Sequence, residues 1–267
     1  MVFQKFMNYV FENYSALEDH PCNLECDDCK KSCVDCHIER YRGWKGGRPR
    51  YKCTNIKRVY LQRYLAAHVA QTKSVIEKTI LGAIRILDTV KAASFGGGPG
   101  VECIALSDLL NDIGCQKLRF RSFDIEDSWQ AYFNDLSETF GKMLDNLSLD
   151  SRFIHQNILK RPTDARYHVV FVPWVLSELD TGTIPAFVNS AISACETGGH
   201  VVVLERKESN LGQIIVDTFK DIEGVSRIFP SENSVDGWCG ISFDDDHKNR
   251  FKVQLNYQSL YYVFQRS

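Results

Sequence analysis

Apolar residues recur along this chain at two different spacings. Phe3, Phe6, Val10 and Phe11 fall on one side of a helix predicted over residues 1–19. Ile56, Tyr60, Tyr64 and Ala67 repeat that spacing, as do Ile76, Ile80, Ile84 and Leu87. The polar stretch Gln71 to Ser74 lies between these two sets and predicts a break, hence two helices across residues 55–90. From Ile84 to Ala93 an apolar lead-in delivers the chain to the cluster Ser-Phe-Gly-Gly-Gly-Pro-Gly-Val-Glu, Ser94 to Glu102. Helical spacing then resumes at Leu106, Leu109, Leu110 and Ile113, and Gly114 ends it. A strand closing on Phe123-Asp124-Ile125-Glu126 follows, so the glycines join a strand to a helix N-terminus in a βαβ unit.

Beyond residue 126 the period is that of strands. Arg152 to Ile158 reads as a third strand, and Tyr167 to Trp174 as a fourth. The fourth is almost continuously apolar, as a strand buried on both faces of a parallel sheet must be. A helix through Val188, Ile192 and Cys195 leads to Gly198-Gly199 and a fifth strand ending near Glu205. Phe251 to Phe264 supplies the β-formers for a closing antiparallel strand. The intervening Asn233 to Arg250 is rich in turn residues and is expected to form a hairpin loop near the substrate side.

The glycine spacing carries chemistry. A dinucleotide fingerprint places its third glycine three residues after the second, where this chain has Val101. Gly96, Gly97, Gly98 and Gly100 instead give G-x-G-x-G, and Asp124 ends the next strand where both hydroxyls of a ribose come within reach. On these residues the chain resembles the class I S-adenosylmethionine-dependent methyltransferases. The resemblance implies a Rossmann-like sheet of seven strands, mostly parallel with the last antiparallel. It also implies S-adenosylmethionine as cofactor, held by Gly96, Gly97, Gly98, Gly100, Asp124 and, at the adenine, Asn157. Ser94 departs from the family, which often carries an acid there. The fourth strand runs into Val172-Pro173-Trp174 and lacks the polar residue that begins the Asn/Asp-Pro-Pro-aromatic motif of enzymes methylating exocyclic amines. Trp174 fits either a base-stacking platform or a core position, and Glu178 either a base or a helix-surface acid. Cys195 and Cys239 lack the flanking residues of a cytosine-5 nucleophile, so the catalytic residue stays unassigned.

Composition adds an appendage to this core. With 267 residues and 44% apolar content the chain can bury one sizeable α/β core and little more. The expected division is a module over residues 1–54 and a methyltransferase domain over residues 55–267. The sequence shows neither a membrane-spanning apolar run nor a secretory signal, so an intracellular protein, in cytoplasm or nucleus, is expected. Ten cysteines in such a compartment argue for metal rather than disulfides. Six of them, Cys22, Cys26, Cys29, Cys33, Cys36 and Cys53, crowd one segment together with His20 and His37. Two Cys-x-x-Cys pairs suit structural zinc, and this many ligands leaves one ion or two open. The spacing of Cys22, Cys26 and Cys29 also matches an iron-sulfur cluster of radical enzymes, which resemble barrels that this pattern does not repeat.

Charge gives the appendage a direction. Residues 30 to 63 hold eleven Lys or Arg against Asp35 and Glu39, while the rest of the chain has 21 basic and 32 acidic residues. Arg40, Arg42, Lys45, Arg48 and Arg50 surround Trp44, a combination in which cations meet phosphates and an aromatic face meets a splayed base. A solvated basic face with its tyrosines packed inward is the competing reading, and Tyr60 and Tyr64, four apart, favour packing. Two functions are therefore expected: a methyltransferase acting on RNA gripped by residues 40–50, or a non-catalytic S-adenosylmethionine-binding protein that docks on a ribonucleoprotein or protein partner.

Overall fold

The computed structural model describes residues 2–17, 32–42, 51, 53–161, 163–207, 211–220, 222–227, 234–236, 241–254 and 258–267; of residues 39–42 and 236 only the backbone is described. Helix α1 (Val2–Tyr14) buries Phe6, Met7 and Val10, three of the residues that share its apolar side. Helix α2 (Cys33–Arg42) precedes α3 (Thr54–Thr79), which runs unbroken through Gln71 to Ser74. The expected break is absent, and two of these polar side chains, Gln71 and Lys73, have partners inside the protein. Gln71 Nε2 donates to Val235 O at 3.2 Å, its Oε1 accepts from Ser259 Oγ at 3.1 Å, and Lys73 Nζ reaches Asp108 Oδ2 at 2.5 Å. A short helix α4 (Leu81–Ile84) leads into the sheet.

The sheet then builds in alternation: β1 (Thr89–Phe95), α5 (Val101–Asp112), β2 (Lys117–Asp124), α6 (Gln130–Gly141), β3 (Ser148–His155), β4 (Tyr167–Pro173), α7 (Ile184–Ala194) and β5 (Cys195–Arg206). These five strands are parallel, in the order β3-β2-β1-β4-β5. After α8 (Leu211–Lys220) come β6 (Val225–Arg227), β7 (Ser234–Asp236), α9 (Asp245–Phe251) and β8 (Gln258–Arg266). Strand β8 lies antiparallel to β5, as expected of a closing strand.

The sheet has eight strands among the described residues where seven were expected. The eighth arises at the edge. β6 pairs with the end of β8, from Phe264 to Arg266, and β7 with its start, from Gln258 to Leu260, so two short pieces share the length that one strand would occupy. The segment expected to be a hairpin loop thus contributes β7 and α9. Asp244 starts α9 by accepting the His247 N–H at 2.7 Å. Phe251, assigned to the closing strand by its apolar character, is instead the buried end of that helix.

Helices cover both faces. One face joins Phe6 and Met7 of α1, Leu61 and Leu65 of α3, Leu106 of α5 and Phe140 of α6 with Phe120 and Phe171 of the sheet. The other packs Phe187 and Val188 of α7 and Ile215 of α8 on Phe95, Val170 and Val203. The apolar run of β4 is buried on both sides, as its composition demands. No described helix is long and apolar enough to cross a membrane.

Candidate functional site

Strand order reverses between β1 and β4, which lie side by side in the sheet although β2 and β3 come between them in sequence. Ligands of open α/β sheets bind at that crevice, beyond the carboxyl ends of the strands. A cavity of about 480 Å³ opens there, within the range of small-molecule sites. Its wall includes Gly96, Gly97, Gly98, Asp124 and Asn157, five of the six residues expected to hold a cofactor. Gly100 stands apart: it is the N-cap of α5, in the left-handed region at φ 89°.

The glycine loop and the second-strand acid are bound to each other. Gly96 N–H donates to Phe123 O at 2.8 Å, which carries the loop across the end of β2. Gly98, at φ 45°, donates its N–H to Asp124 Oδ2 at 2.9 Å, while Glu126 N–H donates to Oδ1 at 2.9 Å. Burial holds the Asp124 carboxyl above its ordinary value, and these backbone donors oppose the rise. Each oxygen keeps a lone pair for a further donor. Gly97 is required by proximity, since a Cβ there would lie 2.4 Å from Ser122 Oγ and 2.7 Å from Ser94 Oγ. Asn157 follows β3 and accepts the Leu159 N–H at 3.0 Å, which fixes its side chain at the wall beside half-exposed Ile125.

Ser94, the departure from the family pattern, is fully buried, and its hydroxyl donates to Glu102 Oε2 at 3.0 Å. Glu102 sits in the first turn of α5, lines the cavity and is 1% exposed. Burial pushes its carboxyl up to about 8.

Three aromatic side chains, Tyr51, Tyr60 and Trp129, line one part of the cavity wall, and most of them were not foreseen there. The Tyr51 ring lies 5.1 Å from that of Trp129, and Tyr60 lies 5.6 Å from Trp129. Tyr51 is strapped down by Ser128 Oγ, which donates to its carbonyl at 3.1 Å, and Lys57 Nζ donates to Ser128 O at 3.0 Å. The Tyr51 hydroxyl donates to Glu178 Oε1 at 3.1 Å. Glu178 therefore faces the cavity instead of the helix surface, and burial raises its carboxyl to about 7. Trp174 belongs to the core and to the site at once. It is 7% exposed, takes a positive φ of 47°, and stacks on His68 at 3.7 Å. Its Nε1 donates to Ser259 Oγ at 2.9 Å. Burial, then the charge of Arg206, lowers His68 to about 3, so a neutral ring meets the indole. Tyr60 hydrogen-bonds His68 Nδ1 at 3.0 Å and, like Tyr64, is buried in the core. Trp129, five residues beyond Asp124, belongs to no periodic run that would have marked it.

The other expected sites are placed only in part. Cys33 and Cys36 lie one turn apart on α2, and Cys53 is the N-cap of α3. Asn55 Nδ2 donates to Cys33 Sγ at 3.5 Å, which brings the starts of the two helices together. Cys22, Cys26 and Cys29 lie outside the described residues, and among the described residues no three His, Cys, Asp or Glu side chains group as a metal site. Arg40 and Arg42 close α2, their side chains outside the described set; Trp44, Lys45, Arg48 and Arg50 lie wholly outside it.

Solved structures share this architecture. The crystal structure of magnesium protoporphyrin IX methyltransferase (ChlM) from Synechocystis PCC 6803 with bound SAH superposes at a TM-score of 0.51 and 13% identity, over 79% of this chain and 92% of that one. The same protein with bound SAM gives a TM-score of 0.51 and 14% identity over 90% and 100%. An S-adenosylmethionine-dependent methyltransferase from Clostridium acetobutylicum ATCC 824 gives 0.49 and 8% over 74% and 91%. No protein-family model matches the chain, and no curated protein matches it in sequence. The two superpositions at a TM-score of 0.51 define the fold alone: a Rossmann-like α/β fold, with a mostly parallel sheet and an antiparallel closing strand.

Proposed function

We propose that this protein is an S-adenosylmethionine-dependent methyltransferase that acts on RNA. The observation that carries the reading is the cavity at the strand-order reversal, where the glycine loop and Asp124 meet. Asp124 keeps acceptors for a ribose, Asn157 and Ile125 offer an adenine an edge and a face, and the glycine loop lets a ligand approach the backbone without Cβ atoms in the way. The bound cofactor supplies an activated methyl group on sulfur. The chain's own task is alignment and exclusion of water, which Tyr51, Tyr60 and Trp129 serve by lining the cavity. Gly96, Gly97, Gly98, Asp124 and Asn157 would hold that cofactor, which would supply its methyl group to an acceptor nitrogen or oxygen and leave as the thioether. Glu178 is the wall carboxylate suited to take the proton that the acceptor releases.

RNA as acceptor rests on the excess of basic residues between 30 and 63 in an otherwise acidic chain, with zinc on the neighbouring cysteines as the scaffold of that segment. The test has two stages. Titration with S-adenosylhomocysteine should show saturable binding to the purified chain. Incubation with methyl-labelled S-adenosylmethionine and total RNA, DNA or protein should then label RNA. Cofactor binding without label in any pool would favour the non-catalytic docking protein. Label in protein or DNA would overturn the RNA acceptor alone.

A further inference from the structure

The carboxylate of Glu102 is buried in the wall of the cavity without a cation. Its partners among the described residues are the Ser94 hydroxyl at 3.0 Å and its own backbone N–H. The other carboxylates on that wall have further donors or a cation nearby, Arg206 in the case of Glu178. Asp124 accepts two N–H groups from other residues, Glu126 accepts from Ser128 N–H and lies near Lys57, and Glu178 accepts from Tyr51. A buried carboxylate left this way is costly, and such groups collect where a ligand completes them.

Position narrows the ligand group. The glycine loop runs from Gly96 to Gly100, with Asp124 tied to it at Gly98 and Glu102 starting the helix two residues after it ends. Gly97 packs against Ser94 so closely that a Cβ there would lie 2.7 Å from Ser94 Oγ, so only glycine fits beside the residue that holds Glu102. A ligand whose ribose sits on Asp124 and whose chain follows the loop brings its far end to that pair. In S-adenosylmethionine and its product the far end carries an α-ammonium.

We propose that Glu102, oriented by Ser94, receives the α-ammonium of the cofactor's amino-acid end, a charged contact that the strand-end residue Ser94 cannot itself provide. The assignment rests on the cofactor reading above. An acid in the first turn of α5 would also favour the helix dipole, a role in stability without ligand preference. Ligand selectivity separates the two.

The experiment is calorimetric titration of wild type and Glu102→Gln with three probes: S-adenosylmethionine, S-adenosylhomocysteine, and 5′-methylthioadenosine, which has the nucleoside but no amino-acid end. Glutamine keeps the shape and the acceptor for Ser94. Loss of one charge-assisted contact should weaken the first two about tenfold to a hundredfold, with 5′-methylthioadenosine changed by less than about twofold. Ser94→Ala, which removes only the orienting hydroxyl, should shift selectivity in the same sense by a smaller factor and serves if Glu102→Gln does not fold. Equal loss for all three probes, or none, would overturn the inference while leaving the cofactor site intact. Loss confined to S-adenosylmethionine would place Glu102 at the sulfonium and overturn it as well. If wild type binds none of the three, the cofactor reading itself fails, and this assignment with it.

Discussion

The backbone N–H of Gly98 donates to the Asp124 carboxylate at 2.9 Å, so the loop after the first strand and the acid at the end of the second form one rigid edge without any ligand. A binding site prepared in this way spends little of its ligand's binding energy on ordering the protein. Twenty-six residues separate the two groups in sequence, and the parallel register of β1 on β2, Phe95 opposite Phe123, sets them side by side.

Asp124→Ala should therefore weaken cofactor binding through two losses, the ribose acceptor and the anchor of the loop. We expect about 1–3 kcal/mol, a factor of roughly ten to a hundred, in titration with S-adenosylhomocysteine. Asp124→Asn retains one acceptor and should fall between. Undiminished affinity in the alanine variant would show that the ribose lies elsewhere.

Gly97→Ala should destabilise the fold itself. Its Cβ would meet Ser122 Oγ at 2.4 Å and Ser94 Oγ at 2.7 Å, both on buried strand positions. Overpacking of this kind costs about 1–3 kcal/mol in denaturant unfolding. Adding Ser122→Ala should recover part of the loss, and a double variant no better than Gly97→Ala would point to backbone conformation as the cause.

How far the sequence revealed this arrangement depended on whether a residue's neighbours are local. Gly96 to Gly100 and Asp124 announced themselves because turn and strand-end chemistry is written in adjacent residues. The run of β4 was equally legible, since a strand buried on both faces keeps almost no polar positions, here His168 alone, to confuse its period. Gln71 misled because its hydrogen bonds are to Ser259 and Val235, more than 160 residues away. Glu178 misled for the same reason: its partner is Tyr51, 127 residues earlier, and nothing near it in sequence sets it apart from a surface acid.

Metal content should follow the cysteine spacing. Protein purified without added metal is expected to carry zinc, measured by elemental analysis, and chelation should loosen α2 while the central sheet persists. Serine substitution of Cys33 or Cys53, near-neighbours through Asn55, should lower the zinc content more than substitution of buried Cys103. Iron with inorganic sulfide would replace the zinc assignment with a cluster.

The pH dependence of stability should reveal the Glu102 carboxyl in the ligand-free protein. Burial raises it from 4.5 to about 8, opposed by its own N–H and by Ser94, with no charged neighbour among the causes. Between those values the folded chain holds a proton that the unfolded chain has released, so the stability supplied by the neutral form is complete below 4.5 and lost as pH rises through about 8. A glutamine side chain cannot ionise, and the Glu102→Gln variant escapes this loss. Measured by denaturant midpoints at several pH values from acid to mildly alkaline, the variant should gain on wild type as pH rises, by at most about 1.4 kcal/mol per pH unit. Asp124, Glu178 and Glu205, whose carboxyls are also raised by burial, slope the same way in both proteins and cancel in the difference. His37 and His68, lowered from 6.5 to about 3, cost stability as pH falls below 6.5 and cancel in the same way. A difference that stays flat across the range would mean that Glu102 ionises in the folded protein as it does in the unfolded chain, and that solvent or a cation already reaches it.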